Sequence, residues 1–434
     1  MRGGVLKHDV TLSVTGKAGE DHTETAIQGT SKDILLALAA ATGGVLRTGR
    51  KDYHYMTSTE RHEARYQRRR AARRARELAR AAACGGYEEV FSFENLYEAG
   101  KQCCKGVRWK ASTQRFEAAL PTTTQRLHDE LMREKFKSRG FIEFGLWERG
   151  HYRWIKSVHI TERAVQKCMN THVLRPLLLP SLIYDNGACQ KGKGTDFALD
   201  RLEEHLHRHY RKHGRKGGIL LWDLSQYFDT IPHAVLTKAA RRKIVDERIF
   251  KLYEAFVEAF GEVGLGLGSE ISQISAVFVA SPIDHYLKDT LGIKGDGRYM
   301  DDGYIIHESM DVLRKCLAKL RELTEKMGLK LNEKKTKIVR LTRQFRFLKM
   351  RIYLSETGAV VRRLARENIT KRRRQLRKFK AKLEAGKMTL KSIVESFVSW
   401  LGHAKRARSY KTIKAMRKLF ASLFGKENLP CLSY

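Results

Sequence analysis

The sequence predicts an α+β fold, on three observations. From Gly217 to Tyr353 the pattern runs strand, helix, strand, hairpin, helix, strand. Within that stretch, Gly218 to Trp222 is an apolar run that ends in Asp223. On either side the chain reads as mostly helical, and its last part is strongly basic.

Residues 1–58 form a small αβ extension in this reading. Val10-Thr11-Leu12-Ser13-Val14 alternates like a strand, and Ser31 caps an apolar helix from Asp33 onward. Residues 59–86 hold an arginine-rich helix or linker, with Arg65, Arg68, Arg69, Arg70, Arg73, Arg74, Arg76 and Arg80 set among alanines. On a helix these arginines surround more than one face and leave no apolar stripe for a core. A solvated linker helix and an RNA-gripping helix both fit. From Tyr87 to about residue 215 helical patterns alternate with short strands, among them Gly140-Phe141-Ile142-Glu143-Phe144 and Arg153-Trp154-Ile155. Beyond Thr357, the run Arg362 to Lys387 is a basic helix with little Pro or Gly, followed by helical sequence to Phe424.

Composition narrows the partners. In 434 residues, 84 Lys and Arg oppose 48 Asp and Glu, leaving +36, an excess that repels itself in a compact fold unless a polyanion is usually present. A membrane is not expected as the partner: Ile34 to Leu46 is too short to span a bilayer and contains a Gly-Gly pair. The opening Met1-Arg2-Gly3-Gly4 lacks the apolar run of a secretory signal, so a cytoplasmic location is expected. Seven cysteines without a C-x-x-C pair read as reduced thiols rather than a disulfide framework or zinc ribbon.

The chemistry concentrates in two acidic segments. Gly297-Arg298-Tyr299-Met300-Asp301-Asp302-Gly303-Tyr304-Ile305-Ile306 fits a tight β-hairpin with an acidic turn. Adjacent aspartates are common in turns, so this segment alone says little. The second segment is the strand Ile219-Leu220-Leu221-Trp222-Asp223, followed by Leu224-Ser225-Gln226-Tyr227-Phe228-Asp229 and Ile231-Pro232-His233. Ending an apolar strand in a carboxylate costs desolvation free energy unless something cationic sits there. Nucleotidyl transfer supplies that need, because two Mg²⁺ ions bridge carboxylates and a triphosphate.

Tyr299-Met300-Asp301-Asp302 resembles the Y-x-D-D box of reverse transcriptases, and Asp223 with Tyr227-Phe228-Asp229 resembles their other metal-binding motif. In the same order, Gly268-Ser269-Glu270-Ile271-Ser272-Gln273 is similar to the family's G-x-x-x-S-Q turn. Gly328-Leu329-Lys330-Leu331-Asn332 through Lys335-Thr336-Lys337 is similar to its lysine-bearing motif, and Phe347-Leu348-Lys349 to its primer grip. Upstream, Arg149 to Gln166 resembles the fingers of group II intron-like bacterial enzymes, and the likeness spans about residues 90–420.

The resemblance implies a right-hand polymerase fold behind the small N-terminal extension. Its fingers would occupy 87–215, its palm, with an antiparallel sheet and part of the fingers, 216–356, and its helical thumb 357–434. It implies an RNA-directed DNA polymerase with two Mg²⁺ ions, or Mn²⁺ as substitute, at Asp223, Leu224, Asp301 and Asp302. Lys335 would protonate the departing pyrophosphate, with Lys330, Lys334 and Lys337 as alternatives. The dNTP would meet Arg153, Arg163, Phe228, Gly268 and Gln273, Phe228 acting as a steric gate against a ribose 2′-hydroxyl. Arg153 and Arg163 also fit duplex-backbone or structural roles. A core aromatic beneath the sheet suits Tyr227 better, since the two rings would point to opposite faces of an extended segment. Template RNA and the RNA-DNA hybrid would meet Tyr299, Met300, Phe347, Leu348, Lys349, Arg372, Arg373 and Lys378. Trp400 and Tyr410, interleaved with Lys405, Arg406 and Arg408, suit base stacking, or for Trp400 a core position.

Two other patterns carry less. Lys191-Gly192-Lys193-Gly194 lacks the phosphate-loop pattern, so Tyr184 to Phe197 reads as a fingers loop touching template. His205, His207, His209 and His213 read as a solvated basic helix rather than a metal site, with no acid or cysteine completing a set. The Ser272-Gln273 ending and Ser399-Trp400-Leu401-Gly402-His403-Ala404 resemble enzymes of diversity-generating retroelements, which copy a template RNA with many errors at adenines beside a small basic accessory protein. Antiphage-defence reverse transcriptases using a structured noncoding RNA are the alternative, and an inactive RNA-binding scaffold is another. No endonuclease or RNase H signature follows the thumb, so an autonomous mobile intron is not expected.

Overall fold

The structure, a computed structural model, describes residues 57–148 and 151–430, the side chains of Glu148, His151 and Arg153 excepted. The strand expected at Val10–Val14 and the helix expected from Asp33 lie outside the described residues. The chain divides into two compact units, Met1–Ala75 and Arg76–Tyr434, each described by itself.

The centre of the second unit is an antiparallel sheet of β3 (Gly218–Asp223), β4 (Gly295–Tyr299), β5 (Asp302–His307) and β6 (Lys337–Arg340), in the order β4-β5-β3-β6. All six residues of β3 are buried. Strand alternation explains why: Leu220 and Trp222 enter one core, whereas Ile219 and Leu221 enter another with Tyr304 and Ile306 of β5. Both faces are covered, so the run is apolar throughout, each buried side chain contributing about 1.5–3 kcal/mol.

The first core joins the sheet to helices Glu247–Glu258, Glu270–Val279 and Met310–Lys326, and to the upstream helices through Val90, Leu131, Val165 and Leu174. Ahead of the sheet stands a two-stranded hairpin, β1 (Phe141–Glu148) and β2 (His151–Val158), in register Phe141↔Val158 to Glu148↔His151. The second core joins helix Thr195–His213, a three-stranded sheet of β7 (Phe345–Phe347), β8 (Met350–Leu354) and β9 (Val360–Leu364), and three C-terminal helices, Arg366–Glu384, Leu390–Lys405 and Tyr410–Phe424. Phe397 and Phe420 stack at 4.3 Å between the last two helices. Among the described residues no helix is long and apolar enough to cross a membrane.

Two local expectations are corrected. Arg362 and Arg363 are not helical: they belong to β9, where Arg362 pairs with Ile352 and Arg363 with Arg351, and the basic helix begins at Arg366. Hairpin pairing with the preceding strand β8 outcompetes local helix propensity there. Helix Thr195–His213 is not a solvated basic helix either. It buries Ala198, Leu199, Leu202, His205, Leu206 and His209 on one face, a helical repeat that two histidines complete.

Candidate active site

The end of β3 and the β4–β5 turn meet by strand register. Asp223 lies directly opposite Asp302, and Tyr299 opposite Asp302 on the other side. Directly opposed residues in an antiparallel pair have Cα atoms about 4.5–5.5 Å apart. Met300 and Asp301 form the turn itself, Met300 at a left-handed φ of 55°, a conformation that costs a non-glycine residue on the order of 1 kcal/mol. The Leu224 amide donates to the Asp301 carbonyl at 3.1 Å, closing the strand end onto the turn. Gly303 admits the Trp222 indole across the strands: a Cβ there would lie 2.2 Å from the ring.

The loop after helix Met310–Lys326 wraps the same point. The Asn332 amide donates to the Asp223 carbonyl at 2.8 Å and the Ser225 amide to the Lys330 carbonyl at 2.8 Å. Of the four candidate lysines it is Lys335 whose Nζ lies 2.7 Å from Asp223 Oδ2. Asp223 is buried; Lys335 is mostly exposed. Partial burial works against its charge, yet the hydrogen bond to Asp223 and the neighbouring Asp302 and Asp301 hold the ammonium above its ordinary range.

Three carboxylates so close repel. Burial, then Asp301 and Asp223, push Asp302 up to about 7, and burial with Asp223 raises Asp301. Among the described residues no three His, Cys, Asp or Glu side chains already form a closed ligand set. The three aspartates offer only oxygen donors, and the nearby cations Lys335 and Arg298 leave Asp302 and Asp301 still raised, which suits a hard divalent cation. The residues present fit such a group.

Arg298 supports the turn from beneath, and sequence reading missed it. Its side chain is wholly buried and its guanidinium pairs with Asp284 through Nε at 2.8 Å and Nη2 at 2.7 Å. Nη1 donates to the Met300 carbonyl at 2.8 Å and Nη2 also to the Val277 carbonyl at 2.9 Å. The only signal in the sequence was a cation inside a strand beside the acidic turn; its partner on helix Ser281–His285 is a long-range fact.

The remaining expected residues divide by exposure. Tyr227 is buried and its hydroxyl donates to the Ala276 carbonyl, while Phe228 is half-buried beside it, the rings 6.0 Å apart. The segment is a helical turn, Tyr227–Thr230, rather than extended, yet the two rings still part ways. Gly268, at φ 118°, lies against β2: a Cβ would sit 3.2 Å from the Lys156 carbonyl oxygen. Gln273 is exposed and Ser272 is buried. Arg163 donates to Ser157 Oγ at 3.3 Å, bracing its helix on β2. Arg153 stands opposite Leu146 in β2, and its side chain lies outside the described residues.

Tyr299 and Met300 are half-buried. Phe347 is buried edge-on against Tyr304 at 5.2 Å, so its ring faces the core, while Leu348 and Lys349 form the β7–β8 turn with φ of 45° and 67°. On the first thumb helix Arg373 and Lys378 are exposed. Arg372 is not on that surface: it is 5% exposed, bonded to Gln375 and Ser396, and burial pulls it down to about 10. Trp400 stacks on Phe397 at 6.0 Å, Arg406 pairs with Asp196, and Tyr410 is exposed. Lys193 folds inward, donating to the Tyr184 carbonyl at 2.7 Å.

The reverse transcriptase (RNA-dependent DNA polymerase) family model matches residues 137–352, a stretch holding the β1–β2 hairpin, the central sheet and all three aspartates. Residues 137–352 therefore carry a reverse transcriptase domain, in an α+β polymerase fold. Among solved structures it is similar to the apo telomerase of Candida tropicalis truncated from its C-terminal domain, at 14% identity over 51% of this chain and 54% of that one, TM-score 0.41. It is similar also to the telomerase of Candida albicans in complex with a fragment of telomeric RNA, at 12% identity over 70% of this chain and 65% of that one, TM-score 0.40. The chain spans 54% and 65% of the length of those two. A search among curated proteins returns no match.

Proposed function

We propose that the chain copies an RNA template into cDNA by two-metal nucleotidyl transfer, with Asp223, Asp301 and Asp302 holding Mg²⁺, or Mn²⁺ in its place. The observation that carries this is the register pairing of Asp223 with Asp302 beside the Asp301 turn. Such cations, when bound, acidify the primer 3′-hydroxyl and stabilise the departing pyrophosphate. Leu224 contributes through its main chain, already tied to Asp301. Lys335 Nζ holds the proton that the pyrophosphate takes. Phe228, half-exposed beside a buried Tyr227, meets the sugar of the incoming dNTP, and Gln273 its base pair. Arg153 and Arg163 sit on β2 and the helix that follows it, where they receive the triphosphate. The hybrid lies along Arg373 and Lys378, and the Leu348–Lys349 turn approaches the primer.

The Ser272-Gln273 ending supports a diversity-generating retroelement, with a structured template RNA and a small basic accessory protein as partners. Dedicated synthesis in antiphage defence is the alternative, and sequencing RNA that co-purifies with the chain separates the two. Purified protein with an annealed primer on RNA, Mg²⁺ and dNTPs should extend the primer. If wild type extends none while Asp301→Ala/Asp302→Ala binds RNA equally well, an inactive RNA-binding scaffold is the correct reading.

A further inference from the structure

Helix Ser58–Ala83 has 26 residues and none of them is buried. It nevertheless has its own start signal. Thr57 and Glu60 form a reciprocal cap, the Thr57 amide donating to Glu60 at 2.7 Å and the Glu60 amide to Thr57 Oγ1 at 3.2 Å. Alanine and arginine, both strong helix formers, continue it. With none of its residues buried, the helix presents its arginines on an exposed surface.

Its charges are sorted by face. At about 100° per residue, Arg61, Arg65, Arg68, Arg69, Arg73, Arg76 and Arg80 fall within a sector of about 140°. The three acids, Glu60, Glu63 and Glu77, all fall outside that sector. Only Arg70 and Arg74 lie on the other side, so the arginines form a stripe rather than a cuff. From Arg61 to Arg73 the stripe is about 18 Å long with more than one arginine per turn. All its arginines are exposed. At its C-terminal end, within the second unit, Glu77 accepts from Lys243 at 2.6 Å and Ala81 packs against the first core.

Like charges at i,i+4 each cost an isolated helix about 0.2–0.5 kcal/mol, a cost that salt screens and that a row of phosphates would relieve most directly. Tyr66 is the one Phe, Tyr or Trp of the helix, so there is no platform on which successive bases could stack. Phosphate rows of a duplex, recognised by shape and charge, match the stripe better than unpaired bases.

We infer that the face Arg61–Arg65–Arg69–Arg73 is a docking surface for a double-stranded segment of a structured RNA. The reading of the chain as an RNA-directed enzyme enters only in choosing RNA among polyanions. The test uses the full chain and two variants of equal charge, Arg65→Gln/Arg69→Gln on the stripe and Arg70→Gln/Arg74→Gln off it. Binding of a blunt 20-base-pair RNA hairpin without a primer terminus is followed by fluorescence anisotropy from about 50 to 200 mM KCl.

The on-stripe variant should lose about 1.5–2 from the slope of log K against log salt and bind about tenfold more weakly at 150 mM. The off-stripe variant should stay within twofold of wild type, and both should extend a short annealed primer at the wild-type rate. Equal losses in the two variants, no loss in either, or a larger loss for unpaired RNA or anionic vesicles than for the hairpin would overturn the inference. Failure of the wild type to extend any primer would count against the polymerase reading and leave the binding result standing.

Discussion

Arg298 ties the aspartate turn to the buried Asp284 carboxylate beneath it. Arg298→Gln would leave the Asp284 carboxylate, 2% exposed, without its cation and the Met300 carbonyl without its donor. Breaking a buried ion pair from one side costs about 3–5 kcal/mol, because the remaining charge is stranded away from water. Over the second unit, Arg76–Tyr434, an unfolding entropy of about 2.1 cal/mol/K per residue turns this into a melting temperature lower by about 5 °C.

The effect on rate is separate. Met300 is held at a left-handed φ, and losing the bond at its carbonyl lets the turn relax. A displacement of about 1 Å at Asp301 would cost roughly 10²-fold in turnover. The double variant Arg298→Met/Asp284→Leu removes both charges and should recover most of the melting temperature, since replacing a whole buried pair by apolar groups is often neutral. It still lacks the donor to Met300, so single-turnover primer extension should remain roughly 10²-fold slow. A double variant that melts normally and polymerises at the wild-type rate would refute the positioning role.

Three further outcomes follow from the same geometry. Phe228→Ala should raise ribonucleotide incorporation relative to deoxyribonucleotide in competition assays, and no change would remove Phe228 as the gate. Lys335→Ala should lower turnover by about 10²-fold while Lys334→Ala stays near wild type; equal losses would leave the proton donor among the alternatives. His205, buried against Tyr304 with Asp185, Arg201, Lys288 and Arg208 nearby, is held down to about 4, burial being the main cause. The unfolded chain therefore takes up that proton first. Its contribution is intact above pH about 6.5 and is lost as pH falls toward about 4, about 3 kcal/mol in all. Melting curves of His205→Asn should fall less steeply than wild type across that window, and parallel curves would contradict it.

What was legible in the chain was local. An apolar strand closed by an acid, and a hairpin with two more, could be read because alternation and turn chemistry are short-range, and the register pairs Asp223 with Asp302. The departures are cases where a partner distant in sequence decides. Arg372 looks like any other thumb arginine, but four residues before Leu376 it falls on the helix face turned toward Phe397. His205 carries no hint of Tyr304, its partner 99 residues away. Phe347 stands among residues read as a nucleic acid grip, yet strand alternation puts it with Phe345 on the core side of β7. Lys335 could not be chosen among its neighbours until the loop was seen closing on Asp223. Segregation of the arginines on helix Ser58–Ala83 was present in the spacing all along, but required a helix long enough to resolve a stripe.

The account turns on whether three aspartates, two at strand ends and one in the turn between strands, act together as one cation site. Titration of Mn²⁺ into the full chain with a bound RNA-DNA primer-template, read as loss of the free-ion electron spin resonance signal, tests this directly. Wild type should sequester two ions, and Asp223→Asn/Asp301→Asn should sequester none while holding the primer-template as firmly. Equal Mn²⁺ uptake by both proteins would contradict the account.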